Sequence, residues 1–237
     1  WVALNKHLRW HGQPHAPERL AALQEIQILV EPGNLAQRIR AHVLTDRWSL
    51  RQTTETMEEA ESGSNDPFVR VVGIAQKLGV EATRNLTVVK QMLSEFVANT
   101  AQDFQREFAE SFVRALPPDQ IEPMWRNIVL VFTETEMTRR NDAMLQGFLT
   151  GAARVRPEWV CSVLDESVSH PALGMSFPSL QHRHLDDQCV ERLKRWIDRG
   201  HKNIRSLEIF SQTLLKDPRW GPATARNVFL QDKQKKH

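Results

Sequence analysis

The sequence predicts an all-α protein made of stacked antiparallel helical hairpins, a HEAT-like α-solenoid. Three observations carry this. Apolar residues recur at steps of three and four wherever they can be counted, helix starts and stops punctuate the chain at short intervals, and no strand-length stretch alternates apolar and polar residues between turn signals. The breaks that end one helix of each pair fall near Gly79, Pro117, Arg156 and Gly200, separations of 38, 39 and 44 residues. These spacings match the roughly 40–47 residue period of HEAT and armadillo units better than the 33–34 of ankyrin and TPR units. A hairpin cannot bury its own apolar face, so successive units must stack. An irregular helical bundle with the same helix lengths and loops is the alternative.

Taken in order, Ala16 to Val30 carries Leu20, Leu23, Ile26 and Leu29 on one stripe, and Pro32 with Gly33 breaks it. Asn34 then caps a helix that uses Leu35, Ile39 and Val43, and Arg40 to Leu50 leads into Trp48. The polar stretch 51–65, rich in Glu, Ser and Thr, reads as a linker between N-terminal helices in 1–50 and helical repeats in 66–230. Asp66 and Pro67 suit an N-cap and first helical position, and Gly79 suits the left-handed residue that stops the helix. Leu86, Val89, Leu93, Phe96 and Val97 form the next stripe.

The clearest helix spans Thr100 to Leu116. Phe104, Phe108, Phe112, Val113 and Leu116 share one face, Thr100 with Asp103 resembles a capping box, and Pro117 with Pro118 stops it. Ile121, Trp125, Ile128, Val129 and Phe132 make another helix, whose start is set late if Pro123 must occupy a first turn. Arg139 and Arg140 suit its negative C-terminal end. Asn141 or Asp142 caps Met144 to Ala153, Pro157 opens Trp159 to Val168, and Asp186 opens a helix with Val190, Leu193 and Ile197 that runs to Gly200. A last stripe holds Ile204, Leu207, Phe210, Leu214 and Leu215, and 231–237 is a basic tail.

Composition narrows the functional classes. With 237 residues the chain can bury a sizeable core without disulfides or metals. Its two cysteines, Cys161 and Cys189, both fall in predicted helices, which favours a reducing compartment and a cytoplasmic location. Net charge is +2, from 31 basic and 29 acidic residues mixed along the chain, so no broad footprint for nucleic acid emerges. The longest apolar runs, such as Ile128 to Phe132, fall far short of a membrane span of roughly 20 residues. The chain starts at Trp1 with no signal-peptide pattern and is expected to be a piece of a larger protein.

The densest polar cluster is His182, His184, Asp186, Asp187 and Cys189. Three of His182, His184, Asp186 and Cys189 would suffice for zinc with an open position, which makes a metal protein or enzyme the runner-up. The competing explanation is that Asp186 and Asp187 cap a helix whose N-terminus favours negative charge. His7, His11 and His15 are spaced to share a helix face, but Gly12 and Pro14 interrupt it. Glu134 and Glu136 beside Arg139 and Arg140 read as solvated ion pairs. Nucleophile-elbow and phosphate-loop motifs are absent from the sequence, and Cys161 sits among Val160, Val163 and Leu164 in a core setting. No cofactor and no small-molecule substrate is expected. Trp48, Trp196 and Trp220 are the Trp residues least explained by an apolar stripe, hence the candidate partner anchors, with packing between repeats as the competing role.

From Val71 to Gln181 the chain resembles the helical-repeat sensor regions of large bacterial multidomain anti-phage proteins of the STAND type. The resemblance rests on Ala75, Leu78 and Gly79, on Asn141, Gly147, Phe148, Leu149 and Gly151, on Leu164 and Asp165, and on the run His170 to Gln181. It implies a non-catalytic array that recognises a protein partner, or holds other domains of the same assembly, in antiviral defence. Nucleic-acid binding along basic helix faces is a third reading, which the mixed charge of the chain does not single out.

Overall fold

The computed structural model describes residues 22–23, 25–26, 31–45, 67–99 and 104–200, and among them every regular element is helical. The His7, His11 and His15 set, Trp48, the linker 51–65, the predicted helix from Ile204, Trp220 and the tail 231–237 lie outside the described residues. Residues 22–23 and 25–26 are helical as expected, although Ile26 is exposed. No helix of the described residues is long and apolar enough to cross a membrane.

Helix α1 (Leu35–His42) starts at a complete capping box. The Gln37 amide donates to the Asn34 side chain at 3.0 Å, and the Gln37 side chain accepts from the Asn34 amide at 3.3 Å. Arg38 reaches Glu81 and Arg40 reaches Glu95, fastening α1 to the next two helices through half-exposed pairs worth little by themselves. Those helices are α2 (Pro67–Ala82) and α3 (Leu86–Ala98), the latter capped by Asn85. The Gly79 expectation is corrected here: α2 runs three residues past it, and Gly79 has no left-handed backbone.

Helix α4 (Gln105–Ala115) is the described part of this Phe-rich helix, and the Thr100–Asp103 capping box lies outside the described residues. Its N-cap position is Phe104, which makes no side-chain cap bond; the ring is buried against Phe68 at 6.1 Å. Burial of a large aromatic, rather than a polar cap, fixes where the helix enters. Phe108 stacks on Phe96 at 5.2 Å and on Phe112 at 6.1 Å, so the predicted Phe stripe is core.

Helix α5 (Pro118–Glu134) has Pro118 in its first turn and keeps Pro123 inside. The first-turn expectation for Pro123 is therefore wrong. The ring is on the exposed side and the helix forgoes one amide bond, a loss tolerated because Ile121, Met124, Trp125, Ile128 and Phe132 are buried on the other face. At its end Arg140 donates to the Thr135 and Thr133 carbonyls, each at 2.9 Å, as its place near a negative helix terminus predicts. Glu136 accepts from the Thr138 hydroxyl across a short 3-10 turn, Met137–Arg139.

Helix α6 (Ala143–Ala153) is buried along nearly its whole length. Asn141 ties it down: its amide donates to the Val97 carbonyl at 2.7 Å, and its side-chain oxygen accepts from Ala143 at 2.9 Å. Asp142 holds the N-cap position and takes the Gln146 side chain instead of a backbone amide. Helices α7 (Pro157–Ser167), α8 (Phe177–Gln181) and α9 (Cys189–Asp198) complete the described residues, and Gly200, at φ 83°, lies in the left-handed region just past α9, where the sequence places the stop.

Alternate helices stack: α2 on α4, α4 on α6, and α3 on α5, with α1 laid against α2. The close approach of the first row is made by glycines. A Cβ at Gly79 would meet the Phe108 carbonyl, one at Gly147 the Arg106 carbonyl, and one at Gly151 the Glu110 carbonyl, all within 2.5 Å. Helix α4 is thus gripped from both sides by notches. One continuous core runs from Ile39 to Leu180, and a second, smaller one joins Val168, Phe177, Cys189, Val190, Leu193 and Trp196.

Candidate functional site

The cluster His182 to Cys189 resolves into separate roles. Helix α9 begins at Cys189 with Gln188 at its N-cap position and no side-chain cap bond, so neither Asp186 nor Asp187 caps it as expected. Asp186 is drawn away by Arg192, whose guanidinium reaches both its carboxylate oxygens at 2.7 and 2.6 Å. Both bonds come from one nitrogen of the buried guanidinium, a full charge that the Asp186 carboxylate neutralises, whereas a cap offers it only a backbone amide.

Arg192 is the centre of this region. It is fully buried, and it also donates to the Gln181 side chain, the Cys161 carbonyl and Asp165, at 3.3, 3.3 and 3.2 Å. Asp165 takes Arg195 as a second partner. Burial works against the Arg192 charge, but the hydrogen bonds and charges of Asp165 and Asp186 outweigh it and hold the guanidinium more firmly protonated than usual. At Asp165 burial likewise opposes ionisation, and bonds from Arg192 and Arg195 win, holding the carboxyl below its ordinary value.

The remaining members of the cluster do not converge. His182 Nδ1 lies 2.6 Å from the Ser179 carbonyl, His184 keeps its Nε2 buried without a hydrogen-bond partner, and Cys189 is packed in the small apolar core. No group of three or more His, Cys, Asp or Glu side chains among the described residues is placed to hold a metal ion, and His182, His184, Asp186 and Cys189 are dispersed by these separate commitments. Cys161 Sγ sits 3.2 Å from Asp186 Oδ2. Burial, reinforced by that carboxylate, raises the thiol pKa, the opposite of what a nucleophilic cysteine requires.

Trp196 is not a surface anchor. It is fully buried, its Nε1 donates to the Gly174 carbonyl at 2.5 Å, and its ring faces Phe177 at 6.4 Å. The large exposed apolar side chains lie elsewhere. Between α5 and α7 runs a groove of about 590 Å³ whose apolar walls include Trp125, Val129, Leu130, Trp159 and Val163. Leu130 is 56% exposed. Trp159 meets Trp125 edge-on at 6.1 Å, and Arg156 covers its ring at 5.8 Å. Trp125 in turn leans on Phe148 of α6 at 5.6 Å, so the groove floor is braced by the core. Glu122 and Arg126 pair on one rim, with Glu166 and His170 on the other. The His170 ring is fixed by accepting from the Ala172 and Leu173 amides, each at 3.2 Å.

Two features escaped the sequence reading although each leaves a trace in it. Arg192 lies on the stripe Cys189, Arg192, Leu193, Trp196, an arginine at helical spacing among apolar residues. Leu130 falls outside the stripe Ile121, Trp125, Ile128, Phe132 and so had to face away from the core. Comparison with protein-family models, with curated proteins and with solved structures finds no match to this chain.

Proposed function

We propose that this chain is a recognition segment of a larger cytoplasmic assembly, its helices stacked in the manner of a HEAT-type solenoid and its task to bind a protein partner rather than to turn over a substrate. The observation that carries the reading is the α5–α7 groove. It is open, walled by tryptophans and aliphatic side chains, rimmed by charge, and set on helices held rigid by the core. Tryptophan-lined clefts with a polar rim are the usual seat of binding energy in protein interfaces. The stacking of alternate helices supports the solenoid reading, because helical hairpins that cannot bury their own apolar faces stack in this way. A sensor arm of an anti-phage assembly is the biological setting that the resemblance in Val71 to Gln181 suggests.

In-cell photo-crosslinking tests this. A photoreactive residue at Ser162, on the groove, is expected to give a discrete protein adduct that disappears when Leu130→Asp is added; the same residue at Lys90, exposed on α3, gives none. Equal adducts from both positions, or an adduct indifferent to Leu130→Asp, would remove the groove as the recognition site.

A further inference from the structure

We propose that the groove between α5 and α7 takes an amphipathic α-helix of about three turns that carries a basic residue. This rests on the reading of the groove as the recognition site and adds what kind of segment it recognises.

The groove walls have a helical register. On the α5 side it is lined by Glu122, Trp125, Arg126, Val129, Leu130 and Thr133, and on the α7 side by Trp159, Ser162, Val163, Glu166, Ser167 and His170. Both sets recur at i, i+3, i+4, i+7, i+8 and i+11, so each wall is one stripe of a helix. His170 prolongs the α7 stripe, its amide bonded to the Glu166 carbonyl at 3.1 Å. At about 1.5 Å per residue such a stripe is roughly 17 Å long. The two run in the same direction. Arg156, at the start of α7, donates to the Pro118 carbonyl at the start of α5, at 3.5 Å, and Arg140, bound to the end of α5, lies within electrostatic reach of His170. Helix α3 packs on α5, whereas α5 and α7 make only slight direct contact. Two parallel stripes facing an open groove offer the ridges between which a third helix packs.

A helix suits these walls better than an extended peptide does. An extended chain must find a donor and an acceptor for each of its own backbone amides. The three hydroxyls on the walls have no proton left to offer: Thr133, Ser162 and Ser167 donate to the Val129, Trp159 and Val163 carbonyls of their own helices, at 2.7, 2.8 and 2.7 Å. A helix brings its backbone already satisfied and needs apolar contact, which Trp125, Val129, Leu130, Trp159 and Val163 supply.

Charge decides the rest. Glu122 is neutralised by Arg126 at 2.5 Å, whereas Glu166 is exposed and pairs with no cation among the described residues. His170 does not neutralise it, because its Nδ1 is occupied in accepting two backbone amides. One carboxylate of the lining is therefore uncompensated, and a lysine or arginine on the incoming helix complements it.

The test is selection against the full chain from a display library of random peptides of about 16 residues, room for three turns and their flanks. Clones are kept when Leu130→Asp abolishes their binding. They are expected to share apolar residues at i, i+3 or i+4 and i+7, to lack proline within that span, and to carry Lys or Arg. Glu166→Lys is expected to weaken such a peptide by about fivefold or more at low salt, and changing the peptide's basic residue to Glu should restore binding to that variant. Leu130 and Glu166 are both exposed, so the two variants are expected to keep the helical circular dichroism of the parent. Leu130-dependent clones with proline-interrupted, extended patterns, or clones indifferent to Glu166→Lys, would overturn the proposal while the crosslinked adduct at Ser162 still stands for the groove. Recovery of no Leu130-dependent clone would also overturn it, and loss of the Ser162 adduct as well would take the recognition reading with it.

Discussion

Gly79 of α2 lies so close to the backbone of Phe108 in α4 that a Cβ there would stand 2.3 Å from the Phe108 carbonyl oxygen and 2.9 Å from the Phe112 amide nitrogen. Both obstacles are main-chain atoms of a central helix, so neither can turn aside. Gly79→Ala is expected to destabilise the fold by about 2–3 kcal/mol, toward the upper end of ordinary overpacking. Gly73, on the same helix, has nothing within 4 Å of its virtual Cβ. There the gain in helix propensity acts alone, and Gly73→Ala should stabilise by about 0.5–1 kcal/mol. Urea unfolding of the two variants measures opposite signs from one substitution on one helix.

Phe108 is fully buried between the Phe96 and Phe112 rings. Phe108→Ala removes the stacked ring from the helix that both α2 and α6 grip, and should cost about 3–5 kcal/mol. Truncating the exposed Leu130 should change stability by less than about 0.5 kcal/mol, as expected of a surface site. A large loss at Leu130 would mean that the groove wall is structural.

Asn34 closes a capping box at an exposed helix start, where nothing else takes the Gln37 amide. Asn34→Ala should lower stability by about 1 kcal/mol, and Asn34→Ser by much less because the hydroxyl can accept the same amide. Both values come from the same chemical unfolding measurement.

What the sequence made legible follows from the range over which each feature is decided. The Phe104, Phe108 and Phe112 stripe, the Asn34 cap, the prolines at Pro118 and Pro157 and the stop at Gly200 are set within a turn or two of chain, and the structure places them as expected. Gly79 was misread because a glycine near a helix end has two uses, a left-handed stop or a close approach, and only a helix 29 residues away in sequence decides between them. Asp186 was misread for the same reason. As a cap it needs only its neighbours, but the buried Arg192 also recruits Asp165 and the Cys161 carbonyl from α7, and those partners are invisible to local spacing. Trp196 looked unexplained because the stripe through Val190, Leu193 and Ile197 is one position away from the face that is buried, which runs through Cys189, Arg192, Leu193 and Trp196.

His42 and His184 both have pKa values lowered to about 4, in each case chiefly by burial. Arg38 adds to the effect at His42; His182 and Arg183 add to it at His184, where Asp186 opposes. Each ring is therefore neutral in the fold and takes up a proton readily only in the unfolded chain. A group whose folded pKa lies below its unfolded one supports the fold fully above the unfolded value, near 6.5, and loses that support as pH falls toward about 4. At about 1.4 kcal/mol per unit of pH, the interval amounts to on the order of 3 kcal/mol per histidine. The histidine contribution should thus be flat above pH 7 and fall steeply through the mildly acid range. His184→Gln removes one contribution while keeping an amide able to sit in the same space. Its stability, measured by urea unfolding at a series of pH values, should decline less than that of the parent chain by about 2–3 kcal/mol between pH 7 and pH 4.5. Carboxylates titrate alike in both proteins and cancel in the difference, so parallel curves would show that His184 is protonated in the fold without penalty.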